Sequence, residues 1–305
     1  MAAPSYLKLL ENGELEARAA AARDMLRACA VCPRSCGVDR LAGERGACGA
    51  GALPAVSSFN DHHGEEPPIS GTRGSGTIFL THCSLACAFC QNYPISQLGN
   101  GAEVSCERLA DMMLRLQKRG CHNINFVTPT HFMPQILEAV LLAARAGLRL
   151  PLVWNSSGYD SLDALRLLDG VVDIYLPDSK YSNDAHALKY SGAPEYTRHN
   201  RAALREMFRQ TGALRMDPDG VAVRGLIIRH LVLPGDISGT DEVFRFIARE
   251  LGTDVYMSIM EQYFPAHRAA KFPEINRRIT EEEYEAALDS AERHGLDRGW
   301  VQGAR

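Results

Sequence analysis

The sequence lacks a long apolar run, an excess of positive charge and a recognisable leader segment. None of its apolar runs approaches the roughly 20 residues that cross a membrane as a helix. The formal net charge is −4, so there is no general basic field to attract nucleic acid or anionic lipid. The start of the chain lacks the charged segment and apolar core of a signal peptide. We therefore expect a soluble, cytoplasmic protein whose partners are neither membranes nor nucleic acid.

Disulfide bonds are not expected either, although the chain has nine cysteines. The total is odd and seven cysteines are gathered at the spacings of metal ligands, which favours metal binding in a reducing compartment. Cys106 and Cys121 lie outside these groups, and we interpret them as ordinary buried thiols. The other seven form an N-terminal group (Cys29, Cys32, Cys36 and Cys48) and a second group (Cys83, Cys87 and Cys90).

The second group follows a predicted buried strand. Residues 76–81 read Gly-Thr-Ile-Phe-Leu-Thr, an apolar, β-branched run, and Cys83, Cys87 and Cys90 come next in a short loop. Three thiolates in one loop can ligate three irons of a [4Fe–4S] cube and leave the fourth iron open to a small chelating ligand. Two alternatives are a zinc site completed by His82 and core thiols on one helical face at i, i+4 and i+7.

The spacing Cys-x3-Cys-x2-Cys, with the aromatic Phe89 before the last cysteine, resembles the signature of the radical S-adenosylmethionine (SAM) enzymes. The resemblance implies that Cys83, Cys87 and Cys90 are the catalytic cluster ligands, with Phe89 beside the cofactor. It implies that SAM chelates the open iron through its amino and carboxylate groups. An electron from the reduced cluster would then cleave SAM to methionine and a 5′-deoxyadenosyl radical, which abstracts a hydrogen atom.

The N-terminal group predicts a second metal site. The pair Cys29 and Cys32, followed by Cys36 and Cys48, has the character of a tetrahedral four-thiolate site. Glycines between these cysteines would let the chain turn tightly around an ion. Zinc and a second iron–sulfur cluster both suit four thiolates, and the sequence does not choose between them. Redox-active or simply buried thiols are the alternative.

Downstream of the cysteine loop, strand-like and helix-like segments alternate, which predicts a parallel sheet with right-handed crossovers. About six βα units are too few for a closed eight-stranded barrel and suit the open, partial (β/α)6 barrel that the radical SAM resemblance implies. We expect an N-terminal helical, Cys-rich metal-binding segment (1–70), the barrel (71–271) and a C-terminal helical extension (272–305). The predicted strands are 76–81, 122–128, 150–155, 171–176, 225–232 and 254–260, and the main predicted helices are 106–119, 133–146, 161–168, 183–190, 196–210 and 240–251.

Two flanking segments carry local signals. Residues 54–73 are rich in turn-forming residues and predict a linker into the first barrel strand. The linker includes His62, His63, Glu65 and Glu66, which we interpret as a hydrogen-bonded connector rather than as direct participants in chemistry. In the C-terminal segment, Thr280 and Glu283 have the spacing of a helix capping box.

Five strand ends carry polar groups that would line a pocket if they converge. Segments such as Cys-Pro-Arg-x-Cys-Gly, Leu-Pro-Asp-x-Lys-Tyr and His-Leu-Val-Leu-Pro-Gly resemble the pyruvate formate-lyase activating enzymes and, more closely, the uncharacterised PflX-like iron–sulfur proteins. This resemblance implies that SAM is contacted at its amino acid end by Asn155 and Ser156, near its carboxylate or ribose by Lys180, and around its ribose and adenine by Arg229 and Gln262. Where activating enzymes carry Gly-Gly-Glu-Pro, Thr128 and Thr130 offer hydroxyls and Pro129 has no N–H to donate.

The sequence therefore predicts a radical SAM oxidoreductase that abstracts hydrogen from a protein or peptide, with the glycine of a glycyl radical enzyme as one candidate. An electron donor such as flavodoxin or ferredoxin is the expected partner. Two alternatives remain open. One is radical SAM chemistry on a small metabolite or RNA, and the other is a non-catalytic iron–sulfur or zinc electron-relay protein. Among the histidines, His131 is the first that we would test.

Overall fold

The computed structural model describes residues 3–301, and in that range one sheet of ten strands organises the chain. The parallel strands at the centre of the sheet contain β-branched or aromatic residues, which pack well on a pleated surface. The strands are β1 (Ala55–His62), β2 (Ser75–Leu80), β3 (Ala102–Glu103), β4 (Ile124–Val127), β5 (Leu152–Asn155), β6 (Ile174–Tyr175), β7 (Arg215–Met216), β8 (Ala222–Leu231), β9 (Tyr256–Met260) and β10 (Gly299–Val301).

The sheet is parallel through its centre and open at both sides. β2, β4, β5, β6, β8 and β9 lie next to one another in parallel, and β10 continues them on one side. On the other side, β1 pairs antiparallel with β2, and β3 pairs antiparallel with β1. The strand order runs from β10 to β3 without closing on itself. This confirms the predicted partial barrel with its six parallel barrel strands.

Helices connect the strands and cover the outer face of the sheet. The predicted helix 106–119 is confirmed at both ends, since Ser105 Oγ accepts the Arg108 N–H at 3.2 Å and Gly120 ends the helix at φ +89°. The helices are α1 (Tyr6–Glu11), α2 (Glu14–Asp24), α3 (Pro67–Ser70), α4 (Tyr93–Ser96), α5 (Cys106–Arg119), α6 (Met133–Arg145), α7 (Leu162–Leu167), α8 (Asp184–Ser191), α9 (Tyr196–Thr211), α10 (Thr240–Glu250) and α11 (Glu281–Arg293).

Alternate side chains of the strands face two different environments. Ile124 and Phe126 of β4 belong to the large apolar core between sheet and helices. The residue between them faces the barrel interior, because successive strand side chains point to opposite faces. The interior has its own smaller apolar cluster, in which Ile69 of α3 packs with Val153 and Ile227. The helix α3 therefore fills the amino-terminal end of the barrel, and the carboxyl-terminal end is left for the site.

The prediction of a linker over residues 54–73 is wrong. This segment forms strand β1 and helix α3, and β1 pairs with β2 over a register that places Phe59 opposite Ile78. Polar residues in β1 lie at half-exposed positions near the sheet edge, so the strand lacks the apolar run that marks the central strands. The antiparallel pairing brings the chain back to the amino end of β2, where Glu65 and Glu66 enter the barrel.

The C-terminal segment combines helix and strand. The capping box of α11 is confirmed, because Thr280 Oγ accepts the Glu283 N–H at 3.2 Å and Glu283 Oε2 accepts the Thr280 N–H at 2.9 Å. After α11 the chain adds β10 to the sheet beside β9, where the sequence predicted only helix. Across residues 3–301, none of the helices has both the length and the apolar character needed to cross a bilayer.

Candidate active site

The cysteine loop leaves the carboxyl end of β2 as irregular chain. Residues 81–92 contain no α-helix, so the interpretation of three thiols on one helical face is wrong. His82 turns the chain just before Cys83 with φ +65°, a left-handed conformation that is uncommon outside glycine. Its N–H donates to the Ile95 carbonyl at 3.1 Å, which ties the start of the loop to α4.

Each cysteine sulfur of the loop has one polar partner. The Leu85 N–H donates to Cys83 Sγ at 3.3 Å, and the Ser191 hydroxyl, at the end of α8, donates to Cys87 Sγ at 2.9 Å. Cys90 Sγ lies 3.0 Å from the Ser96 hydroxyl of α4. Hydrogen bonds of this kind orient thiolate ligands and tune the potential of an iron–sulfur cluster.

Burial is the main influence on the ionisation of these thiols. It raises the pKa of Cys87 to about 11, although the nearby Lys180 ammonium acts in the opposite direction. Burial also raises the pKa of Cys83, and the neighbouring Cys87 adds to the effect. Buried thiolates form when positive charge compensates them, as bound iron does. Three thiols in one loop, each with a polar partner, therefore fit the ligand set of an iron–sulfur cluster.

A cavity of about 210 Å³ opens beside the cysteine loop, and we call it the site cavity. It lies at the carboxyl ends of β6, β8 and β9, where open α/β sheets bind ligands. Four of the eight cofactor-binding residues predicted from the resemblance lie in its wall: Phe89, Lys180, Arg229 and Gln262. Its lining comprises Cys87, Phe89, Cys90, Gln91, Asn92, Asp178, Lys180, Arg229, Leu231, Met260 and Gln262.

Asp178 anchors the two cations of the site cavity. Lys180 Nζ lies 2.5 Å from Asp178 Oδ2, and Arg229 Nε donates to Asp178 Oδ1 at 3.0 Å. Burial alone would raise the pKa of Asp178, but Lys180 and Arg229 outweigh it and hold this pKa below its ordinary value. Asp178 was not among the predicted site residues. The signal for it was its position in the strand end Leu-Pro-Asp-Ser-Lys-Tyr, two residues before Lys180.

Asn155 is joined to the same network, whereas two predicted hydroxyls are not. Asn155 Oδ1 accepts from Arg229 Nη2 at 2.6 Å. The Ser156 and Thr130 hydroxyls instead donate to the carboxylate of buried Asp160, at 2.7 and 2.8 Å. They hold the ends of neighbouring strands together rather than lining the site cavity.

The turn after β4 has an unusual backbone. Thr128 adopts φ +60°, and its N–H donates to the Asn155 carbonyl at 2.9 Å. His131 is buried, and its Nε2 lies 2.8 Å from the carbonyl of Thr81 at the base of the cysteine loop. Burial lowers the pKa of His131 to about 3, so this side chain is neutral at physiological pH. Its position indicates support for the cysteine loop.

The N-terminal cysteines lie in a segment that is fastened to the cysteine loop. Burial raises the pKa of Cys32 to about 12, with smaller contributions in the same direction from Cys48, Cys29 and Cys36. A Cβ on Gly46 would lie only 2.8 Å from Cys36 Sγ. The backbone at Gly46 therefore runs so close to this sulfur that a larger residue would not fit. Within residues 3–301, no three Cys, His, Asp or Glu side chains are arranged closely enough to hold a single metal ion.

The two cysteine groups border a common space. A cavity of about 340 Å³ is lined by Cys48 from one group, by Cys83 from the other and by His82. Arg34 Nε donates to the Ser84 carbonyl at 2.9 Å, which fastens the N-terminal segment to the cysteine loop. All nine cysteines are free thiols, and Cys106 and Cys121 lie in the apolar core as predicted.

The fold and the site define an open parallel α/β barrel with an iron–sulfur type of cysteine loop at the carboxyl ends of its strands. The sequence matches the family model described as the radical SAM superfamily over residues 77–236. It is also 31% identical over 300 residues to the uncharacterized protein MJ0674 of Methanocaldococcus jannaschii, covering 95% of this chain and 82% of that protein. The chain belongs to the radical SAM superfamily, whose members are enzymes that use a [4Fe–4S] cluster and SAM.

Solved structures share the fold at low sequence identity. HydG, a maturase of the [FeFe]-hydrogenase, superposes with a TM-score of 0.51 and 11% identity over 74% of this chain and 50% of that chain. HydG from Carboxydothermus hydrogenoformans gives a TM-score of 0.50 and 13% identity over 72% of this chain and 50% of that one. The chain thus spans about half the length of both. The PflX-like branch is not confirmed by these neighbours and stays a prediction.

Proposed function

We propose that Cys83, Cys87 and Cys90 hold the [4Fe–4S] cluster and that SAM binds in the site cavity beside them. One observation carries this proposal. A single cavity is lined by two of the three thiols and by two cations held on one carboxylate. When bound, the cluster supplies the electron for reductive cleavage of SAM to methionine and a 5′-deoxyadenosyl radical, which abstracts hydrogen from the substrate.

The cations of the site cavity would bind and orient SAM. Lys180 and Arg229 are held in place by Asp178, so little side-chain freedom is lost when an anionic group binds. We assign the SAM carboxylate or ribose to Lys180 and the ribose and adenine to Arg229. Asn155 acts through its hydrogen bond to Arg229.

Other predicted residues have supporting or lining roles in this proposal. Phe89 and Gln262 form apolar and polar parts of the wall of the site cavity. Thr130 and Ser156 fix the strand ends through Asp160, and the backbone of Thr128 sets the turn beside them. We expect these residues to affect SAM affinity through the shape of the cavity, since a small misplacement of a bound reactant is costly to a reaction.

We further propose that the hydrogen donor is a protein or peptide, with the glycine of a glycyl radical enzyme as the leading candidate. A groove of about 790 Å³ shares Gln262 with the site cavity and extends outward along α11. Charged side chains, including Glu261, Arg278 and Glu285, line this groove. An extended chain could reach the site cavity while its flanking residues lie in the groove.

The N-terminal group Cys29, Cys32, Cys36 and Cys48 is proposed to bind a second metal, either zinc or an iron–sulfur cluster. The four thiols share one glycine-rich segment that packs against the cysteine loop, and Cys48, Cys29 and Cys36 lie near enough to Cys32 to help raise its pKa, which supports this assignment. The physiological electron donor is proposed to be a small redox protein such as flavodoxin or ferredoxin.

The test of the proposed function is SAM cleavage by anaerobically reconstituted protein. We expect dithionite-reduced wild-type protein to form 5′-deoxyadenosine and the Cys87→Ala variant to form none. Cys106→Ala is the matched control, because it removes a buried thiol outside both groups and should retain cleavage. Cleavage by Cys87→Ala at the wild-type rate would contradict the assignment. Deuterium transfer into 5′-deoxyadenosine from a labelled protein, and not from a metabolite extract, would identify the class of substrate.

A further inference from the structure

Below the site cavity, the barrel interior holds polar atoms that lack partners. Glu66 is 3% exposed, and Asn125 and Ser258 are fully buried. Among the residues that the structure describes, Glu66 Oε2, Asn125 Oδ1 and Ser258 Oγ have no hydrogen-bond partner. Buried polar atoms are nearly always paired, so three such atoms in one barrel require an explanation. All three can accept a hydrogen bond.

The strand pattern places these atoms in one space. Asn125 lies between Ile124 and Phe126 of β4, which pack in the large apolar core between the sheet and the helices (the outer core). Its side chain therefore faces the barrel interior. Ser258 of β9 likewise lies between Met257 and Ile259 of the outer core, and its register partner on β8 is Arg229. Asn125 Nδ2 donates to Glu65 Oε1 at 3.1 Å, which brings the β1–β2 connection into the same interior.

The charges of this interior balance only when one carboxylate holds a proton or another cation is present. Asp178 already engages both Lys180 and Arg229. Arg229 Nη1 is 3.7 Å from Glu65 Oε2, within reach of the charge but beyond a normal hydrogen bond. No ion pair to Glu66 occurs within residues 3–301. Three carboxylates therefore face two cations, and burial raises the pKa of Glu65 to about 7 despite the opposing effect of Arg229.

Arg229 forms the boundary between this interior and the site cavity. Its guanidinium lines the site cavity together with Asp178, and its Nη1 points toward Glu65. Arg229 therefore lines the site cavity and also approaches Glu65 of the interior, with Ser258 as its register partner. The missing element is a group that carries one positive charge and several hydrogen-bond donors.

We propose that Glu65 and Glu66, with Asn125 and Ser258, form a binding site for a primary ammonium group of the substrate. This inference rests on the proposed function, since it places the substrate beside the radical-generating site. An ammonium group donates three hydrogen bonds and carries the charge that the carboxylates lack. It could belong to a lysyl side chain of a protein or to a free small amine, and both present the same chemistry.

The experiment measures binding to reconstituted holoenzyme with SAM and without reductant, so it does not depend on SAM cleavage. The probes are Nα-acetyl-lysine methylamide, its Nε-acetylated form and n-butylamine, titrated by calorimetry. We expect the lysine probe to bind and the Nε-acetylated probe to bind at least tenfold more weakly. Binding of butylamine with equal affinity would assign the site to a small amine, and selective binding of the lysine probe would assign it to a protein side chain.

The variants are Glu66→Gln and Glu65→Gln, which keep the shape of each side chain, with exposed Glu107→Gln as the control. We expect at least tenfold weaker lysine-probe binding in Glu66→Gln and unchanged binding in the control. In Glu65→Gln the side-chain oxygen can still accept the hydrogen bond from Asn125 Nδ2. This variant replaces Glu66→Gln in the test if Glu66→Gln does not fold. The proposal would be overturned if neither the lysine probe nor butylamine bound. It would also be overturned if the wild type and both interior variants bound the lysine probe equally. In either case the unpaired atoms of the interior would be hydrogen-bonded by ordered water only. If the reduced wild-type protein formed no 5′-deoxyadenosine but the holoenzyme still bound the amines, the proposed function would be contradicted and the ammonium site would not.

Discussion

The hydroxyl of Ser191 donates a hydrogen bond of 2.9 Å to Cys87 Sγ across 104 residues of sequence. Ser191 is the last residue of α8, and its oxygen is also 2.8 Å from the hydroxyl of Tyr181. A buried chain of hydroxyls thus reaches the central thiol of the cysteine loop. Donors of this kind stabilise the thiolate form, because they place positive partial charge next to the sulfur.

Ser191→Ala should leave the cluster bound but make it harder to reduce. The variant loses one donor to Cys87 while all three thiols remain, so the reduction potential should fall. We expect SAM cleavage to slow by about tenfold, the low end of the range for such supporting contacts. Potentiometry followed by electron paramagnetic resonance measures the first effect and 5′-deoxyadenosine formation the second. An unchanged potential would show that the hydrogen bond has no influence on the cluster.

Asp178→Asn should destabilise the protein and weaken SAM binding. The substitution leaves Lys180 and Arg229 without their shared carboxylate, and breaking a buried ion pair in this way costs about 3–5 kcal/mol. Because the pKa of Asp178 is held below its ordinary value of 3.8, its contribution is present at neutral pH and is lost as the pH falls through the folded-state pKa. Denaturant unfolding between pH 3 and 7 should show a difference in the free energy of unfolding between the wild type and Asp178→Asn. This difference should shrink only at the acid end of the range. A difference that is constant over this range would contradict the ion-pair account.

Glu65 should make the protein less stable as the pH rises toward neutrality. Burial raises its folded-state pKa from 4.5 to about 7, so the folded state holds a proton that the unfolded state releases. The stabilising contribution is complete below pH 4.5 and is lost as the pH rises through 7, with a total on the order of 3 kcal/mol. Glu65→Gln should remove this dependence in denaturant unfolding from pH 5 to 8. If the free energy of unfolding varied with pH in the same way for the wild type and Glu65→Gln, Glu65 would ionise normally.

Cys36→Ala should lower the metal content without abolishing SAM cleavage. The N-terminal group would lose one thiol, and the cysteine loop would keep all three of its own. Metal analysis of purified protein should show the loss of the second site, and Cys121→Ala, which removes a buried core thiol, should not change the content. Identical metal content in both variants would mean that the N-terminal cysteines are buried thiols only.

The sequence predicted the parts of the structure that have a strong local pattern. In α5, Leu109, Met113 and Leu116 recur at helical spacing between a serine cap and a glycine stop, and the helix has the predicted bounds. The cysteine loop could also be placed, because an apolar β-branched run precedes it. These features depend on neighbours in the chain and need no knowledge of the tertiary structure.

What the sequence missed depends on contacts between distant segments. Strand β1 has no continuous apolar run, and its pairing with β2 and β3 makes it a strand. Glu65 reaches the barrel interior through that pairing. Asp178 became visible as the anchor of the site cavity only when Lys180 and Arg229, which are 49 residues apart, were brought to it. Thr130 and Ser156 were predicted beside SAM, and their bonds to Asp160 could not be inferred from spacing.

The most direct test is electron paramagnetic resonance of the reduced protein with SAM labelled with nitrogen-15 at its amino group. The account requires that Cys83, Cys87 and Cys90 leave one iron free for SAM. It predicts that SAM changes the cluster signal and that hyperfine coupling to the labelled nitrogen appears, with both effects absent in Cys87→Ala. A reduced cluster whose signal is the same with and without SAM, and which shows no coupling to the label, would contradict it.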